Sequence, residues 1–190
     1  MEMVFVSKMI LYTERLILRH WELSDAENML MYASDPDVGP ITGWPPHQNI
    51  DESRYVIENV LNGEEAYAIC FKTDNKAIGT IELKLKEKAE LAHGDDECEL
   101  GFWLGKPFWG QGIMPEASRE LLRHAFEDLG MSKVWCGFYD GNSKSRRTQE
   151  KMGFKYQGKK MNVDVPLMHE KRNINVNLMT RDDWSEMKND

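Results

Sequence analysis

The sequence predicts a mixed α/β (α+β) domain in which about seven strands form a central sheet flanked by about four helices. Two observations lead to this prediction. The strand-like runs over 66–72 and 77–87 are separated by a short polar turn, which is typical of an antiparallel hairpin. Further along, strand-like runs over 98–105 and 133–139 flank a helical run over 113–129 and form a βαβ unit. We expect its two strands to be parallel and its crossover to be right-handed.

The first half of the chain contains one more strand and two helices. "RLILRHW" (15–21) is strand-like, and Ser24 is a plausible N-cap for a helix that ends near residue 34. A loop over 35–50 follows, with four prolines and two glycines. Apolar residues at helical spacing then predict a second helix over 51–62.

The second half is dominated by the long helix over 113–129, which has an apolar stripe. A polar helix over 142–152, a strand that begins over 154–158 and a strand over 173–179 come next, before a charged tail. The stripe repeats every four residues, at Ala117, Leu121, Ala125 and Leu129.

Composition limits the classes of protein that fit this chain. Its 190 residues, 41% apolar and 29% charged, are typical of one globular domain, which we place over 13–184 between an extension over 1–12 and a tail over 185–190. The net charge of −8 disfavours nucleic acid as a partner, because phosphate contacts need basic side chains. Neither a membrane-spanning run nor a signal peptide is apparent, so we expect a cytoplasmic protein without a membrane partner.

The three cysteines predict free thiols. Cys70, Cys98 and Cys136 lie far apart, and each occurs in a strand-like run. An odd number at such spacing favours reduced, buried side chains over a disulfide framework or a zinc site. The histidines show no ligand spacing either, and we expect no metal.

The stretch "KPFWGQGIMPEA" (106–117) places flexible residues where a strand turns into the long helix. Gly110 and Gly112 have no Cβ atom, so a ligand can approach the backbone closely. The first turn of the helix adds unpaired N–H groups and the positive end of its dipole, which together suit a phosphate. The alternative is a plain turn with glycines for tight packing.

Two familiar phosphate motifs do not fit this loop. Gly105 and Gly110 have the spacing of a P-loop, but Gln111 and Gly112 replace its lysine and its hydroxyl residue. The dinucleotide pattern fails at its third glycine, where Pro115 stands. A pyrophosphate loop of another kind therefore remains as the functional interpretation.

"WGQGIMPEA" followed by "NSKSRRTQEKMGF" resembles the CoA-dependent N-acetyltransferase (GNAT) superfamily, in its RimJ/RimL-like branch of ribosomal-protein N-acetyltransferases. The likeness extends from "TERLILRHW" (13–21) to "LMTRDDW" (178–184). It implies a mostly antiparallel twisted sheet in which one parallel strand pair splays apart to bind CoA. The superfamily loop begins with glutamine or arginine, and Pro107 departs from that pattern.

The resemblance implies acetyl-CoA as co-substrate and assigns residues to it. A backbone N–H near Trp103 or Leu104 would polarise the thioester carbonyl. Asn142 would contact pantetheine, and the alternative is an N-cap role, which an asparagine at this position also fits. The pyrophosphate would bind the backbone of Gly110, Gln111, Gly112, Ile113 and Met114, and pantetheine would lie along Phe102, Trp103 and Leu104.

The resemblance also implies a general acid at Ser145, which would face the sulfur. The alternative is a capping role, which is weak because Ser145 falls inside the first turn of the helix. For the general base, Glu97 and Glu99 share one face of a strand, and Glu99 is nearer the splay; the alternative is a solvent-facing strand. Asp164 is a further candidate base or a surface turn residue. Trp44 and His47 would border the acceptor pocket, unless Trp44 simply packs in the core.

The expected reaction is transfer of an acetyl group to a primary amine, by direct attack in a ternary complex. An α-amino group loses its proton at pH 7 for about 1 kcal/mol and a lysine for roughly 4–5 kcal/mol, so an N-terminal amine needs only a modest base. The acceptor is thus a protein N-terminus or a small-molecule amine, and the protein a monomer or homodimer. The alternatives are a catalytically silent CoA-binding sensor and an enzyme that uses a longer acyl donor.

Overall fold

The computed structural model describes residues 9–189, which form an eight-stranded sheet in the order β1-β2-β3-β4-β5-β6-β8-β7. The strands are β1 Leu11–Tyr12, β2 Leu16–Arg19, β3 Ala66–Phe71, β4 Ala77–Leu85, β5 Glu97–Leu104, β6 Lys133–Tyr139, β7 Lys155–Val165 and β8 Glu170–Thr180. The helices are α1 Ala26–Ala33, α2 Gly39–Thr42, α3 Ile50–Asn59, α4 Ile113–Arg123, α5 Ser143–Lys151 and α6 Arg181–Asn189.

The sheet is antiparallel except between β5 and β6. These two strands are parallel because α4 connects them as a crossover, and the predicted βαβ unit is confirmed. The hairpin of β3 and β4 is also confirmed as antiparallel. The fold class predicted from the sequence is therefore correct.

Each face of the sheet has its own apolar core. Leu104 of β5 packs on one face with α4, in a cluster that contains Leu121 and Leu122. The neighbouring Trp103 packs on the other face, against a cluster that contains Met29 of α1 and Ile57 of α3. Because successive residues of a strand point to opposite faces, β5 touches both cores along its length.

The structure differs from the sequence prediction at both ends and within the loop over 35–50. It adds β1 and the short helix α2, and it extends β7 and β8 well beyond the predicted strands. The predicted tail over 185–190 continues helix α6, which begins at Arg181; within this helix Trp184 is buried and stacks on Phe126 with ring centroids 5.9 Å apart. Residues 1–8 of the predicted N-terminal extension, and residue 190, lie outside the described residues.

The predicted N-cap at Ser24 is wrong. Helix α1 begins at Ala26 after a 3-10 turn over Leu23–Asp25. Asp25 closes that turn, because its carboxylate accepts the Glu22 N–H at 3.0 Å and pairs with the buried Arg19 guanidinium at 2.7 Å. The Ser24 hydroxyl instead donates to the Glu22 carboxylate.

The long helix after the glycine loop ends in one wider turn. The Leu129 N–H donates to the His124 carbonyl at 3.0 Å, five residues back, which is the hydrogen-bond pattern of a π-turn. His124 is buried there between two carboxylates, with Nδ1 2.8 Å from Asp128 and Nε2 3.1 Å from Glu65. The hydrogen bond with Glu65, followed by that with Asp128, outweighs burial and raises the pKa of His124.

This histidine gives the fold a pH-dependent stability. Because the pKa is raised in the folded state, the stabilisation is complete below the unfolded pKa of about 6.5 and is lost as pH rises through the folded pKa. We expect His124→Gln to lower the free energy of unfolding by about 2 kcal/mol at pH 6 and by less at pH 9. Urea denaturation at the two pH values measures this, with the exposed His93→Gln as the control. An equal loss at both pH values would contradict the prediction.

Candidate active site

A gap opens between β5 and β6 at their carboxyl ends. The two strands pair only where Glu97–Glu99 lies beside Lys133–Trp135. Beyond this point β5 continues to Leu104 and β6 continues to Tyr139 without further pairing to each other. The backbone groups that face the gap are therefore available to something other than a neighbouring strand.

The alternation of an antiparallel ladder shows which groups of β5 face this gap. The Gly105 N–H donates to the Ile78 carbonyl at 2.8 Å, which fixes Gly105 as a residue that faces β4. Facing directions alternate along the strand, so the backbone groups of Leu104 and Phe102 point away from β4 and into the gap.

Two backbone carbonyls on that side of β5 already accept hydrogen bonds from side chains. The Cys136 thiol donates to the Leu100 carbonyl at 3.3 Å, and the Trp109 indole donates to the Leu104 carbonyl at 2.7 Å. The N–H groups of Phe102 and Leu104 point the same way. They are placed to pair with an extended chain or to donate to a carbonyl inside the gap.

The glycine loop lies at the mouth of the gap, between β5 and α4. Gly110 and Gly112 have φ angles of +77° and +74°, a left-handed conformation that favours glycine. A Cβ atom on Gly110 would meet nothing within 4 Å. Gly112 is the N-cap of α4 and supplies no side-chain cap, so the N–H groups of the first helical turn remain available to an anion.

Arg15, which directly precedes β2, contacts the glycine loop. Its Nη1 and Nη2 both lie 3.2 Å from the Gln111 carbonyl, and its Nε lies 2.6 Å from Glu116. Thr13 donates to the same carboxylate. The guanidinium therefore holds the loop in place, and its charge is paired with that of Glu116. Arg15 cannot be predicted from the sequence, because no local pattern brings residues 15 and 111 together.

Helix α5 begins beside the gap. The Asn142 side chain caps it, since its oxygen accepts the Ser145 N–H at 3.1 Å, while its Nδ2 reaches the Ile41 carbonyl of α2. The capping role considered from the sequence is thus present. Ser145 is half-buried, and its hydroxyl accepts a hydrogen bond from Gln149 at 3.0 Å.

The predicted acceptor wall, Trp44 and His47, lies on the sheet face that bears Trp103. The rings of Trp44 and Trp103 meet edge to face with centroids 5.8 Å apart. His47 is buried, its Nδ1 lies 2.9 Å from the Ser53 hydroxyl, and burial lowers its pKa. The imidazole therefore braces the loop as a neutral ring, and Trp44 both packs and lines this side of the sheet.

The predicted carboxylates lie in different surroundings. Glu99 is buried, and its oxygens accept the N–H groups of Glu90 and Leu91 at 2.8 and 3.0 Å and the Lys84 ammonium at 3.3 Å. Asp164 is exposed on β7, where Lys171 lies 3.4 Å away. The structure thus brings Glu99 to the sheet face next to the gap but does not bring Asp164 to it.

Glu82, on β4, is a further carboxylate of this region that is absent from the sequence prediction. It lies opposite Gly101 in the β4–β5 ladder, on the same sheet face as Trp103. Its Oε1 lies 3.2 Å from the position that a Cβ atom on Gly101 would take, so the missing side chain leaves it room. Burial, against the opposing effect of Lys84, raises the pKa of Glu82. The sequence contains a signal for this residue, because Glu82 lies between the apolar Ile81 and Leu83 and must therefore point to the opposite face of β4.

The cysteines are free and buried, as the sequence predicts. Burial raises the pKa of Cys70 and of Cys98 to about 12, and it raises that of Cys136 further. Cys136 is thus a protonated thiol that donates within the gap. Among residues 9–189, no cluster of three or more histidine, cysteine or acidic side chains is placed to bind a metal ion. No helix in that range has the length and apolar character needed to cross a bilayer.

Comparisons with known proteins show the family to which the chain belongs. The model of the acetyltransferase (GNAT) domain family matches residues 15–155. The protein p20 of Bacillus licheniformis, named as an N-acetyltransferase, is 28% identical over 153 residues, which cover 78% of this chain and 83% of that protein. YdaF of Bacillus subtilis, named as a ribosomal N-acetyltransferase, is 36% identical over 99 residues, about half of each protein at 52% and 50%.

A solved structure with the same fold carries a ligand. The microcin C7 self-immunity acetyltransferase MccE, in complex with acetyl-CoA and AMP, superimposes with a TM-score of 0.71 at 22% identity, over 88% of this chain and 93% of that one. The resemblance to the RimJ/RimL-like branch is consistent with the match to YdaF. The family model covers well over half of the sequence, and the chain therefore belongs to the acetyltransferase (GNAT) family of acyltransferases.

Proposed function

We propose that the protein is an acetyl-CoA-dependent N-acetyltransferase that acts on a primary amine, by direct attack in a ternary complex. The observation that carries this proposal is the gap between β5 and β6. It opens beside the glycine loop, where the N-terminus of α4 has no side-chain cap. The loop fits a diphosphate, because its glycines are exposed and the space beside Gly110 is open.

The residues of the gap have separate roles in this proposal. The backbone of Gly110 to Met114 holds the pyrophosphate, and the strand end over 102–104 pairs with pantetheine as an added strand would. The N–H groups of Phe102 and Leu104 face the thioester carbonyl, where they stabilise the oxygen as negative charge develops on it. Acetyl-CoA supplies the activated acyl group.

The chain also supplies the proton chemistry. We propose Ser145 as the hydroxyl that faces the leaving sulfur. For the base we propose Glu82, because it lies opposite Gly101 on the sheet face that bears Trp103 and burial raises its pKa. Glu99, by contrast, is held by two amides and an ammonium. Glu99 and Asp164 stay predictions from the sequence. The acceptor binds against the wall of Trp44 and Trp103, and His47 holds the loop that carries Trp44.

An acceptor screen tests the function. The full chain is mixed with acetyl-CoA and a panel of amines, namely peptides with free α-amines, polyamines and small metabolites, and thiol release is followed. We expect release with at least one member of the panel and a preference for α-amines, which need only a modest base. Failure to bind acetyl-CoA at millimolar concentration would refute the proposal. Tight binding without release from any amine would favour the catalytically silent CoA sensor instead.

A further inference from the structure

Helix α5 is polar, yet one of its side chains is buried. Gln149 has no exposed surface, whereas the charged residues around it face solvent. A buried primary amide needs partners for both its oxygen and its nitrogen. Its Nε2 lies 3.2 Å from the Gly137 carbonyl and 3.0 Å from the Ser145 hydroxyl, and its Oε1 lies 2.8 Å from Asn177 Nδ2.

The carbonyl of Gly137 fixes the orientation of this amide. A carbonyl can only accept a hydrogen bond, so the nitrogen of Gln149 must be at that end. The second N–H of Gln149 then donates to Ser145, and Asn177 must donate to the remaining oxygen. Asn177 is itself buried, so the three side chains form one chain of hydrogen bonds with a single direction.

The same carbonyl places this chain at the gap. The Asp140 N–H donates to the Asn173 carbonyl of β8, which fixes Asp140 as a residue that faces β8. By alternation along β6, Gly137 faces the opposite side, where β5 has already diverged. Gln149 therefore takes the place of a strand partner for Gly137 at the edge of the gap.

We propose that Gln149, held by Asn177, is a positioning residue that fixes the Ser145 hydroxyl as a donor into the gap. A hydroxyl has one proton, and the N–H of Gln149 occupies its oxygen as an acceptor. The proton of Ser145 is thus directed elsewhere. This inference rests on the proposed function, since it assigns the target of that proton as the sulfur of CoA.

The hydroxyl acts when the acyl group moves. The amine nitrogen forms a bond to the acetyl carbon, the carbon–sulfur bond breaks, and its electron pair remains on sulfur. Ser145 donates a hydrogen bond to that sulfur, and the proton lost by the amine balances the charge of the thiolate. A Ser145 that instead donated to Gln149 would present a lone pair to the thiolate and oppose the step.

The thiol pKa of bound CoA tests this without an acceptor amine. It is read from the thiolate absorbance of the full chain with CoA across a pH series, against the protein alone. We expect the bound thiol to ionise at lower pH than free CoA, because a hydrogen bond stabilises its thiolate. Gln149→Leu should raise that pKa by about one unit, as Ser145→Ala should, and the double variant should shift it no further.

Thr148→Val is the matched control, because the Thr148 hydroxyl donates to the Lys144 carbonyl on the same helix and should leave the thiol pKa unchanged. Affinity for desulfo-CoA shows that each variant keeps its binding site. Should Gln149→Leu fail to fold, Gln149→Glu serves, since a carboxylate cannot donate to Ser145. A wild-type thiol pKa in a variant that still binds CoA would overturn the inference alone. Absence of CoA binding by the unmodified protein would overturn the proposed function as well.

Discussion

Gly110→Ala should raise the dissociation constant for acetyl-CoA by about tenfold or more. An alanine at a φ of +77° costs roughly 1–2 kcal/mol, so the loop either keeps its shape under strain or turns its N–H groups away. The added Cβ atom would also enter open space beside the loop, where we place the diphosphate. Calorimetric titration of the full chain with acetyl-CoA measures the change.

Gly130 provides a closely matched control for this substitution. It has a φ of +73°, and a Cβ atom there would likewise meet nothing within 4 Å. Gly130→Ala should therefore lose a similar amount of stability, about 1 kcal/mol, and bind acetyl-CoA with unchanged affinity. Equal affinities for the two variants would mean that the loop does not hold the coenzyme.

Glu82→Gln should lower kcat/KM by about a hundredfold at pH 7, with little change in the affinity for acetyl-CoA. A general base works only when deprotonated, so the unmodified enzyme loses activity as pH falls through the pKa of Glu82. Burial raises that pKa and moves this loss towards neutral pH. In a pH profile of kcat/KM, the variant should therefore lack the acidic limb that Glu82 causes. The decrease caused by protonation of the amine substrate should remain in both proteins.

Glu99→Gln distinguishes the role of Glu99 from that of Glu82. The amide would weaken the pairing with Lys84 and the grip on the Glu90 and Leu91 N–H groups. We therefore expect a lower melting temperature and a retained acidic limb. The reverse outcome, in which only Glu99→Gln removes the limb, would assign the base to Glu99.

The sequence was most informative where local pattern and chemistry coincide. Gly110 and Gly112 before an apolar stripe predict the turn and the helix, and both are present because each depends on neighbours along the chain; the anion site stays a prediction. The parallel pair follows from the crossover. Helix α6 is not predicted because only Trp184 and Met187 are apolar there, too few to form a helical stripe, and the other residues are charged or polar.

Most of the missed site residues depend on contacts between distant segments. In the sequence, Gln149 does not differ from the other residues of a polar helix. Only its hydrogen bonds with Gly137 and Asn177 in the folded protein show that it is buried. Arg15 reaches the glycine loop across nearly a hundred positions of sequence. Glu99 was predicted to face the cleft, but the loop at Glu90 folds back over its carboxylate. Such pairings arise from the tertiary fold and leave no periodic signal.

The three buried, protonated thiols can serve as probes of local opening of the sheet. Cys70 lies on β3, Cys98 where β5 still pairs with β6, and Cys136 where that pairing has ended. A thiol-specific label can reach each only when its strand opens, so its rate of capture measures the opening free energy at that point of the sheet. Faster labelling of Cys136 than of Cys98, slowed by bound coenzyme, would reveal the strands parting without the chain unfolding.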